Sequence, residues 1–122
     1  NQTGTQFSVD ARMFLQALSN VRKLLSDNLY RVNVLITKAG ITLTNTKVSH
    51  ADFTSEGIPL MSFSGDRVSV TINALLLESL VQVCGNTELF IVVPGDNKPL
   101  SLSAIDKHGF GIRAALGVIE ED

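Results

Sequence analysis

The chain has 122 residues, 44% hydrophobic and 18% charged, which is enough apolar material for one folded domain and excludes a disordered linker. Ten basic and twelve acidic residues give a net charge of −2, and setting aside the closing acids Glu120, Glu121 and Asp122 leaves +1, so bulk charge does not mark a nucleic-acid binder. No apolar run reaches the ~20 residues of a membrane helix, and the lone Cys84 excludes a disulfide framework and a multi-cysteine zinc site.

The polar start, Asn1-Gln2-Thr3-Gly4, has no apolar segment of a secretory signal. With no initiator Met, it predicts a processed or excised piece, residues 1–4 being a linker remnant. Phe7-Ser8-Val9 alternates as a short strand, and Asp10 reads as a helix N-cap. From Ala11 to Leu25, Phe14, Leu15, Leu18, Val21 and Leu25 recur at helical spacing. Arg12, Gln16, Ser19, Asn20 and Lys23 occupy the opposite face, the pattern of a half-buried amphipathic helix. Val32, Val34 and Ile36 then alternate as a strand. Lys38-Ala39-Gly40 turns, and Ile41 and Leu43 alternate in the returning arm of a hairpin. Val48 to Ser55 is predicted as a further strand with Ala51 and Phe53 facing inward. Gly57 and Pro59 break it, and Leu60 to Ser64 reads as a linking segment.

The pattern then restarts. Val68, Val70 and Ile72 alternate as a strand, and Asn73 is a cap. Leu76, Leu77, Leu80, Val81 and Cys84 recur at helical spacing until Gly85-Asn86 stops the helix. Leu89 to Val93 is apolar on both faces, and Pro94 to Asn97 turns. Leu100 to Ala104 alternates, and Phe110, Ile112, Ala114, Leu116 and Val118 are placed on the core face of a long final strand. Moving the second half back by 63 positions sets Ile72 on Val9, Asn73 on Asp10, Leu77 on Phe14 and Val81 on Leu18. The chain is thus strand-helix-strand-strand-strand, twice, in pattern rather than in identity. The fold class is α+β.

Catalytic chemistry is sparse, and no catalytic residue, metal site or cofactor is predicted. His50, two residues from Asp52, reads as a surface polar pair, and His108 lies in a turn by composition. Cys84 falls on the apolar helical stripe with no basic neighbour to activate it. Gly95-Asp96-Asn97-Lys98 lacks the spacing of a phosphate loop, and Gly109-Phe110-Gly111 precedes a strand rather than a helix.

The doubled unit resembles one domain of a DNA sliding clamp, most of all the bacterial DNA polymerase III beta subunit. The likeness runs from Thr5 to Ile119 and is carried by ordered local stretches. These are Phe7-Ser8-Val9-Asp10 before Phe14-Leu15-Gln16-Ala17-Leu18, Gly40-Ile41-Thr42-Leu43-Thr44-Asn45-Thr46, and Val70-Thr71-Ile72-Asn73 before Leu76-Leu77 and Leu80. It implies two helices packed on antiparallel sheets in a single domain, residues 5–119, with 120–122 an acidic tail. It also implies a non-catalytic, cytoplasmic replication processivity factor in which such domains join edge to edge around DNA. Lys47 departs from the family's usual Asp, and the close Leu116 to Glu120 lacks the Met-Pro-x-Arg-Leu of the last clamp domain. The partner-peptide pocket is therefore not carried over.

In that family the helices line the ring and present cations to phosphates. The first helix, Asp10 to Asn28, carries +1, and the second, Asn73 to Gly85, carries −1 from Glu78, so the pair is neutral. Arg12, Gln16, Asn20 and Lys23 form one stripe able to face DNA, and an ordinary solvated helix face has the same composition. The final strand is the expected self-association edge, through Arg113, Ala115, Gly117 and Ile119, with Val48–Ser55 the second candidate. Two functions follow. One is a clamp component, the other a clamp-like interaction or regulatory module of a transcription regulator that does not encircle DNA. Weak or absent DNA binding by the isolated domain, a homo-oligomer through sheet edges and no membrane association are expected.

Overall fold

The computed structural model describes residues 4–25, 30–45, 57–83, 88–95, 98–105 and 111–119. In chain order these form β1 (Thr5–Asp10), α1 (Ala11–Arg22), β2 (Arg31–Thr37), β3 (Gly40–Asn45), β4 (Ser62–Ser64), β5 (Val68–Asn73), α2 (Ala74–Val83), β6 (Glu88–Val93), β7 (Leu100–Ile105) and β8 (Gly111–Leu116). Every strand pairing is antiparallel. The strands make a five-stranded sheet, β4-β1-β6-β7-β8, and a three-stranded sheet, β3-β2-β5.

The two halves exchange their first strands. β1 pairs with β6, Val9 opposite Leu89, and β5 pairs with β2, Ile72 opposite Val32. The 63-residue shift that aligns Val9 with Ile72 thus also aligns their roles in the two sheets. Burial follows the same correspondence. Val9 and Ile72, Phe14 and Leu77, and Leu18 and Val81 are all buried. Both helices start on a side-chain cap, as the sequence predicts. Arg12 N donates to Asp10 Oδ1 (2.9 Å), and Leu76 N donates to Asn73 Oδ1 (2.9 Å). α1 packs against α2, and one core joins both helices to both sheets.

Each half also ends against its own first strand. Met61 N donates to Ser8 O (2.8 Å), and Ile119 N donates to Thr71 O (2.7 Å). Ser8 and Thr71 are 63 positions apart and both buried. The Ser8 hydroxyl donates to the Glu88 carboxylate and lies 2.7 Å from Ser62 Oγ. This side-chain network satisfies a buried polar group while tying β4, β1 and β6 together. At the hairpin, Gly40 adopts φ +142°, and a Cβ there would lie 2.6 Å from Ile58 O. That backbone approach, fixed by the Ile41–Ile58 bridge, admits only glycine without displacement.

Several sequence expectations are corrected. The predicted linker Leu60–Ser64 contains β4, which pairs with β1 through Phe63 opposite Phe7. A three-residue Ser-Phe-Ser strand is too short to show a period. The first helix ends at Arg22 rather than Leu25. Leu24 N and Leu25 N reach back three residues, to Val21 O (2.9 Å) and Arg22 O (3.1 Å), tightening the end into a turn that leaves Leu24 exposed. Leu76, assigned to the buried stripe, is 53% exposed. The final strand stops at Leu116, and on its inner face only Leu116 is buried, with Ile112 and Ala114 half-buried. The predicted strand at 48–55, both histidines, Cys84, Lys47 and Phe110 lie outside the described residues.

Leu18→Ala, in the core, is expected to destabilise the fold by about 2–5 kcal/mol, whereas Leu76→Ala on the exposed face should change stability by no more than about 0.5 kcal/mol. Urea denaturation of the two variants measures both. Equal losses would show that the outward stripe of α2 is buried.

Candidate functional site: the helix face and the sheet edge

The periodicity of α1 buries Ala11, Phe14, Leu18 and Val21 and turns Arg12, Gln16 and Asn20 outward. Lys23, just past the helix end, continues the stripe. All four sequence-predicted residues are exposed and share one face of one helix. Arg22 lies elsewhere. It forms an ion pair through Nε with the Glu78 carboxylate of α2, with side chains 27% and 16% exposed. This pair joins the helices and offsets the single charge of α2. The outward stripe of α1 therefore carries two cations, Arg12 and Lys23, and no acid.

The matching stripe of α2 is of another kind. Shifting by 63 positions sets Leu75 on Arg12, Leu76 on Met13, Ser79 on Gln16 and Val83 on Asn20. Leu75, Leu76 and Val83 are 40%, 53% and 68% exposed. Five of the eight large apolar side chains exposed among the described residues lie on the helices or just past α1. Sequence periodicity missed this surface, but a signal was present. Three consecutive leucines, Leu75-Leu76-Leu77, spread over about 200° of helix and cannot share one buried face.

Among the described residues β8 is the outer strand of the five-stranded sheet. Arg113 and Ala115 are exposed on its outward face, opposite Ser103 and Ser101. Gly117 and Ile119 lie beyond the strand. Ile119 is half-buried, and its amide is bonded to Thr71 O. The candidate edge therefore shortens to Gly111–Leu116. The other candidate, 48–55, is outside the described residues. Among the described residues no group of three or more His, Cys, Asp or Glu could hold a metal ion, and no helix is long and apolar enough to cross a membrane.

No family model matches the chain, and no curated protein matches it in sequence. Solved structures do match it in fold. The DNA polymerase beta subunit of Streptococcus pyogenes superposes with a TM-score of 0.81 at 14% identity, over 99% of this chain and 32% of that one. The sliding clamp of Bacillus subtilis gives 0.79 at 15% identity, over 99% and 32%. The DNA polymerase III beta subunit of Pseudomonas aeruginosa gives 0.79 at 11% identity, over 98% and 32%. The chain spans about a third of the length of these clamp chains and has the α+β sliding-clamp fold.

The Arg22–Glu78 pair is expected to couple the helices by about 0.5–1 kcal/mol in a double-mutant cycle of Arg22→Ala and Glu78→Ala, less at high salt. Strictly additive losses in denaturant titrations would show that the pair adds nothing to helix docking.

Proposed function

We propose that this chain is a non-catalytic clamp component, a domain that contributes to holding replication machinery on DNA by topology, with a cytoplasmic site of action. The observation that carries this reading is the shared fold, which spans 99% of the chain and about a third of a sliding-clamp chain. Two features fit it. The helices form one layer, where the clamp resemblance puts the DNA-facing surface. The β8 edge, guarded by Arg113 alone among its exposed side chains, is open among the described residues to a strand of a neighbouring domain. Assembly would then be a homo-oligomer, or a chain of such domains, joined through sheet edges.

A second reading has its own support. In it the domain is an interaction or regulatory module that does not encircle DNA. The apolar stripe of α2 favours it, because leucine and valine offer nothing to a phosphate. Among the described residues the outward helix face carries only the cations Arg12 and Lys23, so few counterions are released on DNA binding.

Fluorescence anisotropy with duplex DNA is expected to show weak binding at physiological salt. Two phosphate contacts predict a slope of about −2 in log K against log salt. Binding in the micromolar range with a much steeper slope, abolished in Arg12→Ala/Lys23→Ala, would favour direct DNA contact over the second reading. For assembly, sedimentation across a concentration series should show self-association that Ala115→Lys reduces. A mass that stays monomeric at every concentration would defeat the edge-joining half of the proposal.

A further inference from the structure

The outward face of the helix layer divides into two stripes of different chemistry. Along α1 lie Arg12, Gln16, Asn20 and Lys23, with Met13 at their side, and along α2 lie Leu75, Leu76, Ser79 and Val83, with Gln82 at theirs, all exposed. The α2 stripe is built to receive a helix. Leu76 and Val83 are seven residues apart, which places them about 10.5 Å apart along the axis. An amphipathic helix repeats its apolar positions at i, i+3 or i+4, and i+7, over the same distance. Between the two apolar ridges sits Ser79, small enough to leave a dip. Its hydroxyl already donates to Leu75 O at 3.0 Å, so covering it orphans no polar group.

Charge selects the occupant. The only acid of α2, Glu78, is held by Arg22, leaving Arg12 and Lys23, on the helix packed beside α2, as the cations of this face among the described residues. A second copy of this chain fits poorly. Stacking the whole two-helix face about a two-fold axis sets cations on cations, or cations on leucines. An anionic lipid surface is read by clusters of about four or more basic residues, and among the described residues this face has two.

We propose that this face docks an amphipathic helix of a partner protein. The apolar stripe of that helix lies on Leu75, Leu76 and Val83, and an acidic flank meets Arg12 and Lys23, in the helix-in-groove mode. This deepens the second reading, on which it rests, by naming the surface and the chemistry of the partner.

The test uses the full chain and two fluorescein-labelled peptides of about eighteen residues. Both carry the same leucine stripe at helical spacing, and one is flanked by Glu, the other by Lys. The Glu-flanked peptide is expected to bind at least about tenfold more tightly. Leu76→Ser/Val83→Ser should weaken it by about tenfold or more, and Arg12→Glu/Lys23→Glu should invert the preference between peptides. All four side chains are exposed, and circular dichroism checks that each variant folds. Absence of binding by both peptides, or equal binding unaffected by the substitutions, overturns the proposal. Binding to phosphatidylserine vesicles that Leu76→Ser abolishes would assign the face to lipid instead. A concentration-dependent dimer lost in Leu76→Ser would assign it to a second copy. A parallel titration with duplex DNA separates the two levels. Steeply salt-dependent DNA binding through Arg12 and Lys23 defeats the second reading, whereas failure of the peptides alone defeats only this assignment of the partner.

Discussion

The structure depends on one exchange, in which the first strand of each half is completed by the second strand of the other. β1 lies against β6, and β5 lies against β2. Neither half can satisfy its backbone hydrogen bonds or cover its helix alone. Val9 and Ile72 are buried opposite Leu89 and Val32, and both helices pack on the same core. Their side-by-side packing follows from this exchange, since each helix leaves directly from an exchanged strand. The Asp10 and Asn73 caps fix those departures.

The functional surfaces are consequences of the same geometry. Once the inward faces of α1 and α2 are committed to the core, the residues on the opposite side of each helix look outward. In α1 those positions hold Arg12, Gln16 and Asn20, and in α2 they hold Leu75, Ser79 and Val83. One architecture thus presents two chemistries side by side. The sheet edges are treated unequally as well. The exposed side of β5 is met by Ile119, while β8 keeps its outer side open among the described residues.

Much of this was legible in the amino-acid order. β1, α1, the β2–β3 hairpin, β5 and α2 all show their periods, and both caps were identified from a single Asp and a single Asn. The repeat was visible because burial constrains residue type at equivalent positions even where identity is lost. What escaped detection has a physical reason in each case. β4 is three residues with one apolar side chain. Leu75-Leu76-Leu77 satisfies any helical stripe placed on it, so apolar character alone could not say which leucine is buried. β8 stops at Leu116, and beyond it Ile119 N bonds Thr71 O, a backbone contact that leaves no mark in side-chain pattern. Strand order is likewise silent, because Phe7 meets Ile91 across most of the chain.

That long reach has a temporal consequence. During synthesis β1 emerges first, yet its partner β6 begins only at Glu88. At about 5–20 residues per second, the ribosome leaves the edge of β1 that β6 covers unpaired for roughly 4–16 s, while β4, the partner on its other edge, emerges earlier. Ordering so distant a pair closes large loops before their contacts repay the entropy, so the domain belongs among slow-folding topologies. For those seconds the nascent N-terminal half presents an unpaired strand edge beside the apolar side of α1, the combination that most readily pairs with another chain.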